Sequence, residues 1–290
     1  MGQRIHCPLY DRGVVSVAGD DAREFLQGLI TNDIQKVTED SAIYAALLTP
    51  QGRFLFDFFI VEHQECFLLD CEIARIPELI KKLTMYRLRA KVEILDMSER
   101  FSVGILLDTN GSDIFAGEVG GPLDFDGVCY TDPRHAGLGE RTIHLINEDA
   151  SFPADKFLVS NCRAEYDSRR IMLGIPDSIN DLIPEKSFPL ETGFDELNGV
   201  DFQKGCYVGQ EVTIRMKHRN LVKKRLFPVE FDGDLAQGAI VKSGDIAAGQ
   251  IHSTQRGHGL ALLRLDLVEK GGLTSNGVSI NAQKPNWMRF

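Results

Sequence analysis

The sequence predicts an α+β domain followed by a small C-terminal β-barrel. Up to about residue 221, hairpin-forming apolar runs alternate with stretches of helical period, the mixture expected of an α+β layer. From Lys224 onward the composition shifts to short strands every ~8 to 12 residues separated by glycine turns, which is the pattern of a barrel. The 290 residues, 43% hydrophobic and 26% charged, suffice for one large or two modest cores and exclude disordered and fibrous classes. The expected division is an α+β region over residues 1–221 and a β-barrel over residues 222–290.

Taken in order, residues 12–18 show the β-branched alternation of a strand, and Gly19-Asp20-Asp21 supplies a turn and a helix cap. Ala22, Phe25, Leu26, Leu29 and Ile30 then recur at helical spacing, so one face of this helix is core. Thr31-Asn32-Asp33 closes it, and Asn32 and Asp33 are residue types suited to caps and turns. Residues 42–49 and 53–61 read as strands joined by the turn Pro50-Gln51-Gly52. A third strand follows at 65–71, in which Cys66 and Cys71 point to opposite faces. Residues 76–88 have a helical period with a basic end at Arg87, Arg89 and Lys91, and strands follow at 92–95 and 101–107. Residues 109–122 read as a loop in which Asn110-Gly111-Ser112 forms a turn, and strands recur at 127–130 and 141–146. Residues 153–173 have the length and period of a helix, and 181–194 form a proline-bearing loop. Barrel strands are expected at 239–242, 250–253, 259–265 and 277–280.

The net charge of −10 disfavours wholesale binding to nucleic acid or an anionic membrane. No stretch approaches the ~18 apolar residues of a membrane span. Six cysteines (Cys7, Cys66, Cys71, Cys129, Cys162 and Cys206) show neither a CxxC pair nor zinc-type spacing, and the start of the chain has no apolar targeting segment. These features predict a reducing, cytoplasmic compartment, and the chain is separately expected to be a monomer. Against the acidic mean, residues 204–225 hold seven basic residues and one acidic residue, Glu211, a local charge of +6. Such a run suits a polyglutamated cofactor tail, an acidic partner or RNA phosphates, or is simply a solvated helix face, with Arg215 and Lys217 as candidate contacts. His218 and His252 are solitary and receive no role.

Lys204-Gly205-Cys206-Tyr207-Val208-Gly209-Gln210-Glu211 carries the chemistry. Gly205 and Gly209 permit positive φ on either side of the cysteine, so the backbone can turn and expose its sulfur. Lys204 and the amides of a helix beginning near Gly209 would favour thiolate over thiol. A free cysteine is ordinarily a small buried hydrophobe, but Lys204, Gln210 and Glu211 are poor company for a buried site. Cys206 is therefore read as a functional thiol, with Lys204 lowering its pKa, Gly205 and Gly209 shaping its loop, and Tyr207, Gln210 and Glu211 holding or presenting that loop.

This octapeptide resembles the signature of the YgfZ family, folate-binding relatives of the aminomethyltransferase (T-protein) of the glycine cleavage system. The resemblance covers nearly the whole chain. The pattern Gly19-x-Asp21-Ala22-x-x-Phe25-Leu26-Gln27-Gly28-Leu29-x-Thr31-Asn32-Asp33 is similar to the segment that opens the family fold beside the folate cavity. Phe188-Pro189-Leu190-Glu191 and Asn198-Gly199-Val200 look like the mitochondrial-type iron-sulfur assembly factors within the family. The resemblance implies an aminomethyltransferase-like folate-binding fold with a terminal barrel and a role in maturing 4Fe-4S proteins. It further implies an A-type iron-sulfur carrier as partner, iron-sulfur client proteins downstream, and Cys206 as a metal ligand in a cluster shared transiently with the carrier. Tetrahydrofolate or a derivative is the implied cofactor, with Asn32, Asp33, Asp57 and Arg170 as its contacts.

Two departures bear on that cofactor. Folate-using relatives carry a glutamate after Arg-Ile, whereas this chain reads Arg170-Ile171-Met172, and methionine cannot accept the same hydrogen bonds. The aminomethyltransferases have paired aspartates where this chain has Phe56-Asp57, so one carboxylate at most remains, bracketed by Phe54, Phe56, Phe58 and Phe59. A non-catalytic assembly factor is thus favoured over a tetrahydrofolate-dependent one-carbon transferase. A redox thiol without metal and a tRNA-modification accessory role stay open, although no recognised RNA motif is present and aromatics are sparse in the basic run.

Overall fold

A computed structural model describes residues 4–38, 41–108, 126–146 and 158–289. In chain order the elements are β1 (Arg4–Pro8), β2 (Arg12–Ala18), α1 (Ala22–Gln27), β3 (Ile43–Leu48), β4 (Phe54–His63), β5 (Cys66–Glu72), α2 (Ile76–Arg87), β6 (Glu93–Asp96) and β7 (Phe101–Asp108). They continue with β8 (Gly127–Thr131), β9 (Glu140–Leu145), β10 (Leu158–Val159), α3 (Arg163–Met172), α4 (Ser178–Asp181) and α5 (Gln210–His218). The last stretch holds β11 (Lys224–Phe231), β12 (Ile240–Ser243), β13 (Ile246–Gln255), β14 (His258–Arg264), α6 (Leu265–Lys270), β15 (Leu273–Ser275) and β16 (Val278–Ala282). No described helix is long and apolar enough to cross a membrane.

The chain forms two compact units. Unit 1 comprises Met1–Leu47, Phe56–Ala164 and Asn198–Val208, and unit 2 comprises Leu48–Leu55, Glu165–Leu197 and Gly209–Phe290. Unit 1 is built on two five-stranded sheets, ordered β10-β1-β7-β9-β8 and β3-β4-β5-β2-β6. Strands β2, β4 and β5 are buried on both faces, and Val14, Val15, Phe58, Ile60 and Leu69 are fully buried. A buried ionic cluster links the sheets within this core. Asp70 of β5 accepts from Arg12 Nε of β2 at 2.6 Å and from Arg141 Nη2 of β9 at 2.5 Å, while Arg134 and Asp132 pair beside it at 2.8 Å. Phe59 underlies the guanidinium of Arg141 at 3.9 Å and that of Arg134 at 4.8 Å, so the cations have a π face as well as carboxylates.

Unit 2 contains the closed barrel β11-β14-β13-β12-β15-β16. Closure removes free edges, and register shifts at Val241/Lys242 and Ile251/Thr254 give the curvature that closure needs. Phe227, Val229, Val241, Ile251 and Leu263 fill its interior.

The helix at 76 and most expected strands fall in place within one or two residues, but α1 stops at Gln27, short of Ile30, β13 starts at Ile246, four residues before the strand expected at 250–253, and β15 has no expected counterpart. Three further expectations need correction. A strand at Arg4–Pro8 precedes the first one anticipated. The helix expected over 153–173 begins only at Arg163, because Leu158 and Val159 extend and pair in parallel with Ile5 and His6, a long-range ladder overriding the local helical period. The loop at 181–194 carries a 3₁₀ turn at Pro189–Thr192 and is preceded by α4, whose first turn is capped by the Asp177 carboxylate accepting from Ile179 N. The loop expected at 109–122, with its Asn110 turn, and residues 153–157 lie outside the described residues.

Candidate functional site

In unit 1 the segment 198–204 is stitched onto the chain that leaves α1. Thr31 Oγ1 donates to Gly199 O at 2.6 Å and accepts from Ala46 N at 2.8 Å, while Asp201 N donates to Thr31 O at 3.0 Å. Asn32 Nδ2 donates to Tyr44 O and to Asn198 O, both at 2.8 Å, and its Oδ1 accepts from Asp33 N. Lys36 Nζ pairs with Asp201 Oδ2 at 2.7 Å. Thr31 and Asn32 therefore build the site by holding its backbone, and the Asp33 carboxylate caps the following 3₁₀ turn through Gln35 N.

Lys204 completes this stitching in a way that the sequence does not announce. Only 7% exposed, it donates through Nζ to the carbonyls of Gln27 at 2.8 Å, Ile30 at 2.6 Å and Asn32 at 2.8 Å. These are carbonyls left over where α1 ends, and an ammonium with three donors matches them one for one. Burial pulls the lysine pKa down to about 8, with Asp33 and Asp201 pulling it back up. The Nζ also lies 5.1 Å from the centre of the Tyr207 ring, which is itself buried. Lys204 is thus a clamp on the loop, a different task from the direct electrostatic aid to the thiol that its place in the sequence suggests.

Two residues beyond the clamp, Cys206 is exposed, whereas Cys7, Cys71 and Cys162 are buried and Cys66 and Cys129 are half-buried. Burial raises the Cys66 thiol pKa, and burial with Glu140 nearby pushes that of Cys129 up to about 12. Among the described residues, no group of three or more His, Cys, Asp or Glu side chains could hold a metal ion. A metal on Cys206 would draw its remaining ligands from elsewhere.

The two motif glycines differ. Gly209, in unit 2, takes φ 85° as the N-cap of α5, and a β-carbon there would lie 2.5 Å from Thr49 O and 3.0 Å from Leu48 Cβ. Gly205 has no positive φ, and a β-carbon on it would meet nothing within 4 Å, which corrects the expectation that both glycines turn the chain. The Gly205 position leaves open space beside the thiol. Gln210 and the exposed Glu211 open α5, where Thr213 Oγ1 donates back to Gly209 O at 3.2 Å. Arg215 is exposed farther along the helix, and Lys217 pairs with Asp195.

The other proposed cofactor contacts fall in different surroundings. Asn32 and Asp33 line an open cleft of about 780 Å³ in unit 1, together with Tyr44, Asn198, Asp201 and Phe202. Asp57 is not among its walls: it is buried, and its Oδ2 accepts from Tyr44 OH at 2.8 Å. Arg170 is buried in unit 2, where its guanidinium donates to Asp167 at 2.6 Å, Asp181 at 2.8 Å and Ser253 Oγ at 3.0 Å. Met172, two residues on, is exposed. Sequence reasoning missed Tyr44, Thr31 and Asn198 as builders of this region. Asn198, at φ 58°, is the one with a local signal, the Asn198-Gly199 turn dipeptide.

Comparison with known proteins agrees with this architecture. The GCVT N-terminal domain matches residues 10–107, and the CAF17, C-terminal beta-barrel domain matches residues 223–290. The fold is similar to that of the glycine cleavage system aminomethyltransferase T from Bartonella henselae, with a TM-score of 0.77 over 99% of this chain and 87% of that one, at 15% identity. The chain is 33% identical to the mitochondrial iron-sulfur cluster assembly factor IBA57 of Mus musculus, covering 95% of this chain and 83% of the relative. It is 32% identical to that of Homo sapiens at the same coverage, and 34% identical to a mitochondrial homologue from Neurospora crassa, of which it spans 52%. These relatives are named as mitochondrial, which overturns the cytoplasmic location expected from cysteine usage and points to the mitochondrion instead. On sequence and fold together, the chain belongs to the IBA57 family of iron-sulfur cluster assembly factors.

Proposed function

We propose that this protein assists assembly of iron-sulfur clusters in the manner of a YgfZ-type factor, with Cys206 lending one thiolate to a cluster held jointly with an A-type carrier. The observation that carries this reading is the single exposed thiol on a loop pinned by a buried lysine, with no companion ligands among the described residues. Thiolate is the ligand such clusters take, and a cluster commonly needs four. One ligand presented alone is what a shared cluster requires, and release of the cluster to a 4Fe-4S client then needs only ligand exchange at one sulfur on this side. Gly205 keeps the approach to that sulfur clear, while Tyr207 and Lys204 hold its loop.

Tetrahydrofolate or a derivative fits the cleft in size, since small-molecule sites run about 300–1,000 Å³. Phe202 offers an aromatic surface and Asp33 and Asp201 offer polar edges, while Tyr44 and Asn32 form the largely buried floor. One-carbon transfer would need a carboxylate at the reacting nitrogens, but Asp57 faces Tyr44 and lies outside the cleft wall, so the residues support holding such a ligand rather than turning it over.

Anaerobic mixing of wild-type protein and Cys206→Ser with a cluster-loaded A-type carrier tests the central reading by size exclusion and visible circular dichroism. A coloured heterocomplex is expected with wild type only. Its persistence in Cys206→Ser would remove iron ligation from the account. A tRNA-linked role has one feature in its favour, the exposed cations Arg215, Arg219, Lys223 and Lys224, and salt-sensitive tRNA retention would support it.

A further inference from the structure

The C-terminal tip of α2 carries an apolar side chain where unit 1 gives it no support. Leu88 is 88% exposed, and Met85, one turn earlier, is 64% exposed. The backbone at Leu88 is held at φ 47° and ψ −105°. Among the described residues, the other non-glycine positions with positive φ are Gln64, Glu65, Glu185, Asn198, Asn220, Arg256 and Asn276, all polar. A bulky apolar residue in this region is disfavoured by sterics. Solvation gives no return for it, because the leucine is left in water.

Charge surrounds this knob. Residues 79–92 contain Lys81, Lys82, Arg87, Arg89 and Lys91 and no acidic residue. Among the described residues, no carboxylate pairs with Lys81, Lys82 or Arg89. Lys91 makes one exposed contact with Asp20 at 3.3 Å, and Arg87 donates weakly to Val92 O at 3.4 Å. The tip is therefore a leucine in a locally basic stretch of a protein whose net charge is −10, with Asp20 and Asp21 meeting it at Lys91.

Helix α1 ties this tip to the thiol loop. Near its start, Lys91 N donates to Asp21 Oδ2 at 2.7 Å, and past its end Lys204 grips the carbonyls of Gln27, Ile30 and Asn32. Six helical residues span roughly 9 Å. A typical protein footprint of about 800 Å² is broad enough to reach from one end of α1 to the other.

We propose that the Leu88 tip is the docking point for the same protein that shares Cys206, and that this partner presents an apolar socket rimmed by carboxylates. The proposal rests on the shared-cluster reading above. A strained, fixed leucine suits a shaped protein socket, whereas a fluid lipid surface would accept any exposed apolar group, and the net charge opposes an anionic membrane.

The test measures affinity for a cluster-loaded A-type carrier, anaerobically by calorimetry, using full-length wild type, Leu88→Gly, the double variant Lys81→Glu/Arg89→Glu, and Cys206→Ser. Leu88→Gly is expected to weaken binding at least about tenfold, the loss expected of one buried leucine, while its Tm equals or exceeds that of wild type because glycine relieves the positive φ. The double variant is expected to bind more weakly and with less salt dependence. Unchanged affinity in Leu88→Gly, with Cys206→Ser still losing the cluster, overturns the docking tip and leaves the shared cluster standing. Absence of wild-type binding overturns both. Flotation of wild type but not Leu88→Gly with phosphatidylserine-containing vesicles, at unchanged carrier affinity, replaces the protein socket with a lipid surface.

Discussion

Lys204 sits two residues from the exposed thiol, yet its ammonium is directed to three carbonyls of the segment that leaves α1. Replacing it with methionine keeps much of the side-chain volume and removes every donor, leaving those carbonyls to find others in a largely buried setting. A loss of about 2–4 kcal/mol is expected, read as a lower urea midpoint at unchanged slope. A variant as stable as wild type would show that the clamp is dispensable. The residue type and its place beside Cys206 were legible in the sequence, but its work was not, because the acceptors lie 172 to 177 positions upstream. Asp57 shows the same limit. Its four neighbouring phenylalanines marked a costly aspartate, but only the fold shows Tyr44 OH satisfying it.

At the scale of elements, period and punctuation located most strands and both early helices, because burial on one face or two imprints the sequence directly. What escaped were elements defined by distant partners, such as β1 and β10, whose pairing joins residues 5–6 to 158–159. The start of α5 is set by Gly209, and here the two motif glycines make opposite predictions. Gly209→Ala places a β-carbon 2.5 Å from Thr49 O at a φ that alanine resists, so a cost of about 2–4 kcal/mol is expected. Gly205→Ala meets open space and is expected to change stability by no more than about 0.5 kcal/mol. Thermal melts of the two variants decide it, and equal losses would contradict the assigned backbone. Ellipticity at 222 nm is the convenient signal.

For the whole molecule, six thiols reduce to one that is exposed. A thiol reagent such as Ellman's is expected to titrate one fast equivalent in the native protein, absent in Cys206→Ser, and all six once the chain is unfolded in urea, since the other five are buried or half-buried. Two fast equivalents would place Cys66 or Cys129 in the open. The α+β class and the terminal barrel were readable from composition and spacing, and the octapeptide singled out the thiol that the fold leaves exposed. The way the chain returns to complete unit 1 was not, because it depends on which distant segments pack together. Unit 1 receives its last piece, Asn198–Val208, after the chain has already supplied two stretches of unit 2. On the ribosome, a growing chain therefore has no clamp and no seated thiol until that piece emerges. Truncated products ending earlier lack Cys206 altogether, so the exposed thiol appears only in chains long enough to carry its clamp as well.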